Sequence, residues 1–173
     1  VFDNVGLDRF EAVEDLLGYM KAVSQENRDK DWLLFNNMDL ATQSFAEPKL
    51  TRSHLDKVSD TKPVVVWHAG GHKMTVNSVM LSLMSVTAET PNPGGAEYGR
   101  DDHGSLDGNI SGGSALFAAL GVVEPFMTFD KYQGTIRLAQ EWATKGLTTV
   151  GLPGVQSPDD FETPQKLNAS GSL

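Results

Sequence analysis

Residues 64–67, Val-Val-Val-Trp, place the strongest constraint on the fold of this chain. Three consecutive β-branched valines favour an extended strand over a helix. The run has no polar residue between its apolar ones, which is typical of a strand buried on both faces in a parallel sheet. Pro63 precedes the run and two glycines, Gly70 and Gly71, follow it, so the sequence predicts one short, well-bounded strand.

Helical and extended patterns alternate around this strand. Apolar residues at a spacing of three and four predict an amphipathic helix near the start of the chain, at Leu7, Phe10, Val13, Leu17 and Met20. The other predicted elements are a strand at 32–35, a short helix capped by Thr51, a helix at 75–84 with Val76, Val79, Met80 and Leu83 inward, a hairpin at 96–110, helices at 114–120 and 130–145, and a strand at 147–150. Such alternation is typical of an α/β fold.

The length of the chain, 173 residues, is enough for one ordinary domain with its own core. We expect a single α/β domain over residues 1–155, built as a small mixed or parallel sheet with flanking helices. From Gln156 onward the composition shifts to Ser, Pro, Asp and Asn. Residues 156–173 are therefore expected to form a polar C-terminal tail.

Charge and cysteine content exclude several classes of function. The formal net charge is -9, which argues against nucleic acid or an anionic membrane as a partner, because both require a basic surface. The chain has no cysteine, which excludes disulfides, thiolate metal sites and a cysteine nucleophile. No charged segment followed by an apolar one marks a secretory signal, so we favour a cytoplasmic protein.

His68 and His72 follow the buried strand and carry the chemistry of this region. Two histidines four apart can share a metal on a helix, but the two glycines between them disfavour a helix here. Ligands commonly bind at the carboxyl ends of strands in α/β proteins, so His72 is a candidate substrate contact. The alternatives are that His68 is a satisfied strand histidine and that His72 caps the next helix.

Other motifs give no complete catalytic set. Asp101, Asp102 and Asp107 do not have the spacing of a calcium loop, and an exposed hairpin tip is the favoured interpretation. Ser111 and Ser114 lie in a glycine-rich stretch that lacks a nucleophile elbow. The residues alone therefore predict an acidic α/β domain with no assigned catalytic residue.

Four runs resemble, in order and spacing, the YtcJ-like group of amidohydrolases. They are residues 51–64, from Thr-Arg-Ser-His-Leu-Asp-Lys-Val-Ser to Lys-Pro-Val; residues 71–78, Gly-His-Lys-Met-Thr-Val-Asn-Ser; residues 91–108, from Pro-Asn-Pro-Gly-Gly through Arg-Asp-Asp-His-Gly to Gly; and residues 146–150, Gly-Leu-Thr-Thr-Val. The resemblance extends over residues 7–152. It implies a TIM-barrel metallohydrolase that cleaves C–N bonds of amides.

The same resemblance implies that this chain is a segment of such an enzyme, inserted between early strands of the barrel. The metal-binding motifs of the family would lie outside these residues, so we expect no cofactor in this chain and a divalent metal such as zinc in the parent enzyme. Gly112 stands where the family pattern has a glutamate, which argues against metal binding by this segment.

By the resemblance, this segment covers the mouth of the active site. We therefore name His72, Asn77 and His68 as candidate substrate-binding residues, with His72 facing the substrate. Asn77 has an alternative role, which is to satisfy backbone groups at the start of a helix. The expected partners are a small amide-type substrate, the rest of the barrel and, through exposed apolar surface, further copies of the chain. The competing hypothesis is a free-standing acidic α/β domain for ligand binding or interaction.

Overall fold

A computed structural model describes residues 2–6, 9–10, 12–38, 49–123, 130–151 and 158–171. The chain divides into two compact units, Val1–Phe126 and Met127–Leu173. No helix within the described ranges is both long enough and apolar enough to cross a bilayer.

The first unit contains a sheet whose strands alternate with helices. The strands are β1 (Phe2–Asn4), β2 (Leu33–Met38), β3 (Val64–His68), β4 (Lys73–Val76), β5 (Glu97–Arg100) and β6 (Leu106–Ser111). The helices of this unit are α1 (Val13–Glu26), α2 (Arg52–Asp56), α3 (Ser78–Leu83) and α4 (Gly113–Val123). The second unit contains α5 (Lys131–Thr144) and α6 (Pro158–Ala169), the latter in the segment expected to be a polar tail.

The sheet has six strands in the order β1-β2-β3-β4-β6-β5. Strands β1, β2 and β3 pair in parallel, whereas β4 is antiparallel to both β3 and β6, and β5 is antiparallel to β6. The prediction of a small mixed sheet with flanking helices is thereby confirmed. Strand β3 joins a parallel half to an antiparallel half, so the valine-rich run is central, as its continuous apolar pattern indicates.

The main core covers one face of the parallel half. Helices α1 and α2 pack their apolar residues against β2 and β3, and the cluster consists of Val5, Val13, Leu16, Met20, Val23, Leu33, Phe35, Met38, Leu50, Leu55, Val58, Val64 and Val66. Val13 and Met20 of the predicted first helix are buried here, and Leu7 lies outside the described residues. Burial of a side chain of this size contributes about 1.5–3 kcal/mol.

One predicted element near the sheet, the helix at 75–84, is wrong in two respects. The helix predicted from residue 75 begins only at Ser78, because Lys73–Val76 forms β4 between β3 and β6. Met80 is buried as expected, but Leu83, predicted to face inward, is exposed. Strand pairing here overrides the helical spacing of the apolar residues.

In the second unit, α5 confirms the helix predicted near residues 130–145. The Asp130 carboxylate caps its N-terminus by accepting a hydrogen bond from the backbone N–H of Gln133, at 2.9 Å. Gly146 follows the C-terminal end with a φ of 79°, the left-handed conformation that commonly ends a helix. The strand predicted at 147–150 is wrong, because these residues are exposed and have no strand partner within the described chain.

The hairpin β5–β6 is confirmed, with an exposed tip at residues 101–105. Asp101 closes this tip, since its Oδ1 accepts hydrogen bonds from the backbone N–H groups of His103 and Ser105, both at 2.9 Å. The carboxylate therefore stabilises the turn itself, as aspartates commonly do at such positions.

Candidate functional site

A row of polar side chains crosses one face of the antiparallel half of the sheet. Pairing of β3 with β4 places Val66 opposite Thr75, and pairing of β4 with β6 places Thr75 opposite Asn109. Because side chains alternate between the faces of a strand, His68 lies on the same face as Val66. The register therefore brings three polar residues from three adjacent strands together.

Hydrogen bonds join the members of this row. Thr75 Oγ1 donates its proton to Asn109 Oδ1 at 3.0 Å, and His68 Nε2 lies 2.9 Å from the same Thr75 oxygen. A threonine hydroxyl has one proton, and here that proton is given to Asn109. Thr75 must therefore accept from His68, which fixes the imidazole as the tautomer with hydrogen on Nε2.

His68 is only 8% exposed, and its environment opposes a positive charge. Burial, with a smaller effect from the nearby ammonium of Lys73, lowers the pKa of His68 from 6.5 to about 4. Desolvation always disfavours the charged imidazolium. His68 is therefore neutral at physiological pH, and its Nδ1 carries a lone pair that can accept a hydrogen bond.

A cleft of about 240 Å³ opens over this polar face. Its walls come from β3, β4, the β5–β6 hairpin and the segment that precedes α2. The lining residues are Lys49, Leu50, His68, Lys73, Glu97, Gly99, Arg100, Asp107, Asn109, Ile110 and Ser111. Three cationic and two carboxylate side chains lie in this lining. The cleft therefore has a small local excess of positive charge in a chain whose net charge is -9.

Arg100 has a structural role in the wall of the cleft. Its guanidinium donates to the carbonyls of Ala88, Thr90 and Tyr98 at 3.0, 2.6 and 2.8 Å, and to Asn92 Oδ1 at 3.1 Å. These bonds use much of the donor fork of an arginine. Arg100 therefore fixes the loop before β5 against the strand, which leaves Lys73 and Lys49 as the more adaptable cations of the cleft.

Of the predicted site residues, His68 lies in the cleft and His72 does not line it. His72 is exposed in the turn between β3 and β4, where its carbonyl accepts a hydrogen bond from Gly112 N–H at 3.4 Å. Neither of the two histidines caps α3, since the capping residue is Asn77. The turn therefore leaves His68 buried and His72 exposed.

Asn77 is fully buried, and its side-chain amide bonds to backbone on four sides. Oδ1 accepts from the N–H groups of Val64 and Met80, both at 3.0 Å, while Nδ2 donates to the carbonyls of Ser59 and Lys62 at 2.9 and 2.8 Å. This arrangement matches the alternative prediction, in which Asn77 satisfies backbone groups at a helix start. Any influence of Asn77 on a substrate is therefore indirect.

The sequence reasoning missed Asp56, Thr75 and Asn109 as parts of this region. Asp56 binds Ser78 at the start of α3 through both carboxylate oxygens. The sequence does single out Asp56 and Ser78, because both belong to runs that carry the family resemblance. Thr75 and Asn109 are 34 residues apart, and their proximity depends on strand register, which no local pattern reveals.

The described residues do not fit a metal centre. Within them, no group of three or more His, Cys, Asp or Glu side chains converges on a point. Protein zinc sites need three or four such ligands. We therefore assign no metal ligand to the described part of the chain and route no chemical step through a metal here.

Comparison with known proteins identifies the family. A sequence model described as the amidohydrolase family matches residues 7–173. The chain belongs to the amidohydrolase family. This amidohydrolase chain is also 30% identical over 109 residues to the exoenzymes regulatory protein AepA of Pectobacterium carotovorum subsp. carotovorum, a match that covers 61% of the chain and 23% of AepA.

Two crystal structures share the fold of this amidohydrolase chain. Both are described as uncharacterized metal-dependent hydrolases. The protein from Pyrococcus horikoshii is 21% identical with a TM-score of 0.53, and the match covers 98% of this chain and 30% of that protein. The protein from Pyrococcus furiosus is 18% identical with a TM-score of 0.51, and the match covers 98% and 32%. The chain thus spans a third or less of the length of each of these relatives.

Proposed function

We propose that this chain is the substrate-recognition segment of a metal-dependent amidohydrolase of YtcJ-like type, acting on C–N bonds of small amides. In this proposal the rest of a TIM barrel supplies the catalytic groups and a divalent metal such as zinc. The segment itself binds and orients the substrate at the mouth of the active site. The family membership supports the hydrolase part of the proposal.

The cleft over the polar face of the antiparallel half is the observation that supports a role in substrate recognition. It combines a neutral hydrogen-bond acceptor on His68 with the amide of Asn109 and the ammonium of Lys73. A concave site with a few convergent polar groups is the usual form of a small-molecule site. Because the described residues hold no metal cluster, these groups contribute binding and orientation, and no hydrolytic step is assigned to them.

The experiment uses the complete polypeptide that the native gene encodes, assayed with added zinc on a panel of small amides. Lys73→Met removes a cation from the cleft and keeps most of the side-chain length. We expect KM to rise about tenfold for substrates that contact Lys73, since a hydrogen bond to a charged group is worth roughly 1.5–3 kcal/mol, with little change in kcat.

Lys57→Met is the matched control, because Lys57 is exposed and does not line the cleft. It should leave both KM and kcat unchanged. Two results would overturn the proposal. One is that Lys73→Met leaves KM unchanged for every amide that the enzyme hydrolyses. The other is that this chain alone, with metal, hydrolyses simple amides at an enzymatic rate, because the segment would then contain the catalytic groups.

A further inference from the structure

We propose that His68 selects amides that carry an N–H group, by accepting a hydrogen bond at Nδ1 while Thr75 and Asn109 hold its ring as the Nε2–H tautomer. The inference rests on the proposed recognition function and names the substrate class: primary and secondary amides, as opposed to N,N-disubstituted ones. Thr75 is a positioning residue in this arrangement, since it acts through His68, whereas Asn109 both holds Thr75 through Oδ1 and presents its NH₂ group to the cleft.

The directions of the hydrogen bonds among Asn109, Thr75 and His68 determine the tautomer of the imidazole. The Asn109 Oδ1 atom can only accept, so Thr75 must donate to it across their 3.0 Å separation. The 2.9 Å contact between Thr75 and His68 Nε2 then requires the proton on nitrogen. In a neutral imidazole the other nitrogen is unprotonated, and a histidine fixed this way presents a single acceptor.

No described residue forms a hydrogen bond with this acceptor. His68 itself lines the cleft. On the same polar face, Asn109 Oδ1 accepts the hydrogen bond from Thr75, and the NH₂ group of Asn109 remains a donor. Nδ1 can accept a hydrogen bond from the N–H of a primary or secondary amide, and the Asn109 NH₂ group can donate to a carbonyl oxygen. A tertiary amide offers only the carbonyl and leaves Nδ1 without a donor.

The charged groups around the ring do not disturb this state. Lys73, Lys49, Arg100, Glu97 and Asp107 line the same cleft, and burial, with a smaller effect from Lys73, keeps the pKa of His68 at about 4. Protonation would turn Nδ1 into a donor and abolish the acceptor. Since this occurs only in acid, the selectivity for N–H groups is expected to persist throughout the neutral range.

The test observes the imidazole nitrogens directly, by NMR of the chain with ¹⁵N-labelled histidine. His68→Gln identifies the resonances of His68. The ligand-free spectrum should show a protonated Nε2 and an unprotonated Nδ1. N-methylacetamide is then titrated in, and we expect a saturable shift of the Nδ1 resonance. N,N-dimethylacetamide, which lacks the N–H, should bind at least about tenfold more weakly.

Two substitutions at Thr75 test its positioning role. Thr75→Ser keeps the hydroxyl and should preserve the tautomer, whereas Thr75→Val has nearly the same shape without the hydroxyl and should give a mixture of tautomers. A purely structural role of Thr75 would change stability without changing the tautomer. The tautomer of His68 and the binding of the two acetamides are measured on the unsubstituted chain, so the test does not depend on the folding of either variant.

The inference is overturned if Nδ1 carries the proton, or if the two acetamides bind equally well. Failure of the proposed function looks different. In that case KM of the complete enzyme would not respond to Lys73→Met, while the tautomer of His68 and its preference for N-methylacetamide would remain as stated. Conversely, a KM response without discrimination between the acetamides would overturn this inference alone.

Discussion

Asp56 and Ser78 are joined by two hydrogen bonds of 2.8 Å, one from the backbone N–H and one from the hydroxyl of the serine. Each carboxylate oxygen of Asp56 accepts one of them. The contact ties the last residue of α2 to the first residue of α3, across 22 residues of sequence. It also places a negative charge at a helix N-terminus, where backbone N–H groups favour it.

Replacement of Asp56 by alanine is expected to lower the free energy of unfolding by about 1–3 kcal/mol, because Ser78 loses both acceptors. Urea denaturation followed by circular dichroism measures the change. Asp60→Ala is the control, since Asp60 is exposed and makes no described hydrogen bond, and it should change stability by less than about 0.5 kcal/mol. Equal effects of the two substitutions would show that the contact does not stabilise the fold.

Asn77→Ala is expected to be more damaging, by about 3–5 kcal/mol in the same measurement. It leaves two buried backbone N–H groups and two carbonyls without the side-chain partners they have in the native structure. Each such buried group costs roughly 1–3 kcal/mol, and relaxation recovers part of the total.

Asn27→Ala is the matched control for Asn77, because Asn27 is only partly buried and its side chain makes one hydrogen bond, to Val23. We expect a loss of about 1 kcal/mol or less. If Asn77→Ala were tolerated equally well and instead raised KM in the complete enzyme, the direct substrate role would replace the structural one.

Gly112→Ala is expected to destabilise the chain by roughly 2–4 kcal/mol. Gly112 has a φ of 83°, and a Cβ built there would lie 2.4 Å from the carbonyl oxygen of Gly95. A side chain at this position, such as the glutamate that the resemblance implies there, would therefore clash with the backbone. Gly94→Ala, where the added methyl meets open space, should change stability little, and comparable thermal midpoints for the two variants would contradict the prediction.

Stability should fall as the pH is lowered from 6.5 to 4, in part because of His68. Its pKa is about 4 in the folded chain and near 6.5 once unfolded, so the unfolded state binds more protons within this window. The contribution of His68 is complete above pH 6.5 and is lost as the pH approaches 4. Its total is on the order of 3 kcal/mol.

The check is a series of urea titrations at several pH values, on the chain and on His68→Gln. The variant should show a shallower dependence of unfolding free energy on pH between 6.5 and 4. Some dependence will remain, since burial and then Lys57 also lower the pKa of His54. A variant with the same slope as the parent chain would disprove the assignment to His68.

Self-association is expected through helix α4, which contains no charged residue and leaves Phe117 62% exposed. Exposed apolar surface of this kind commonly marks an interface. Phe117→Ser should lower the mass-average molecular weight measured by light scattering at high concentration. Lys57→Ser, on an exposed polar site, should not, and a strictly monomeric parent chain would contradict the prediction.

Local sequence signals predicted the central strand and the hairpin correctly. Three adjacent valines in β3 favour extended backbone in any context, and the turn residues around Asp101 act within a few positions. The start of α3 was predicted too early, because the apolar spacing through Met74 and Val76 also fits a helix. Only pairing with β3 and β6, which are distant in sequence, makes Lys73–Val76 a strand.

The candidate site could be predicted only in part. His68 was identified from its position after a buried strand, where ligands commonly bind in α/β proteins. Its partners could not be identified, since Thr75 and Asn109 meet it through the register of three strands. The resemblance drew attention to His72, but the turn at Gly70 and Gly71 carries that side chain away from the lining of the cleft.

The sheet ends at β1 on one side and at β5 on the other, and neither has an outer neighbour within the described residues. An edge strand presents backbone N–H and C=O groups that can template another strand. A strand added next to β1 would widen the parallel half of the sheet by one strand, through backbone hydrogen bonds alone. The sheet could thus be enlarged while the hydrogen-bonded row, which begins only at the third strand from that edge, kept every one of its contacts.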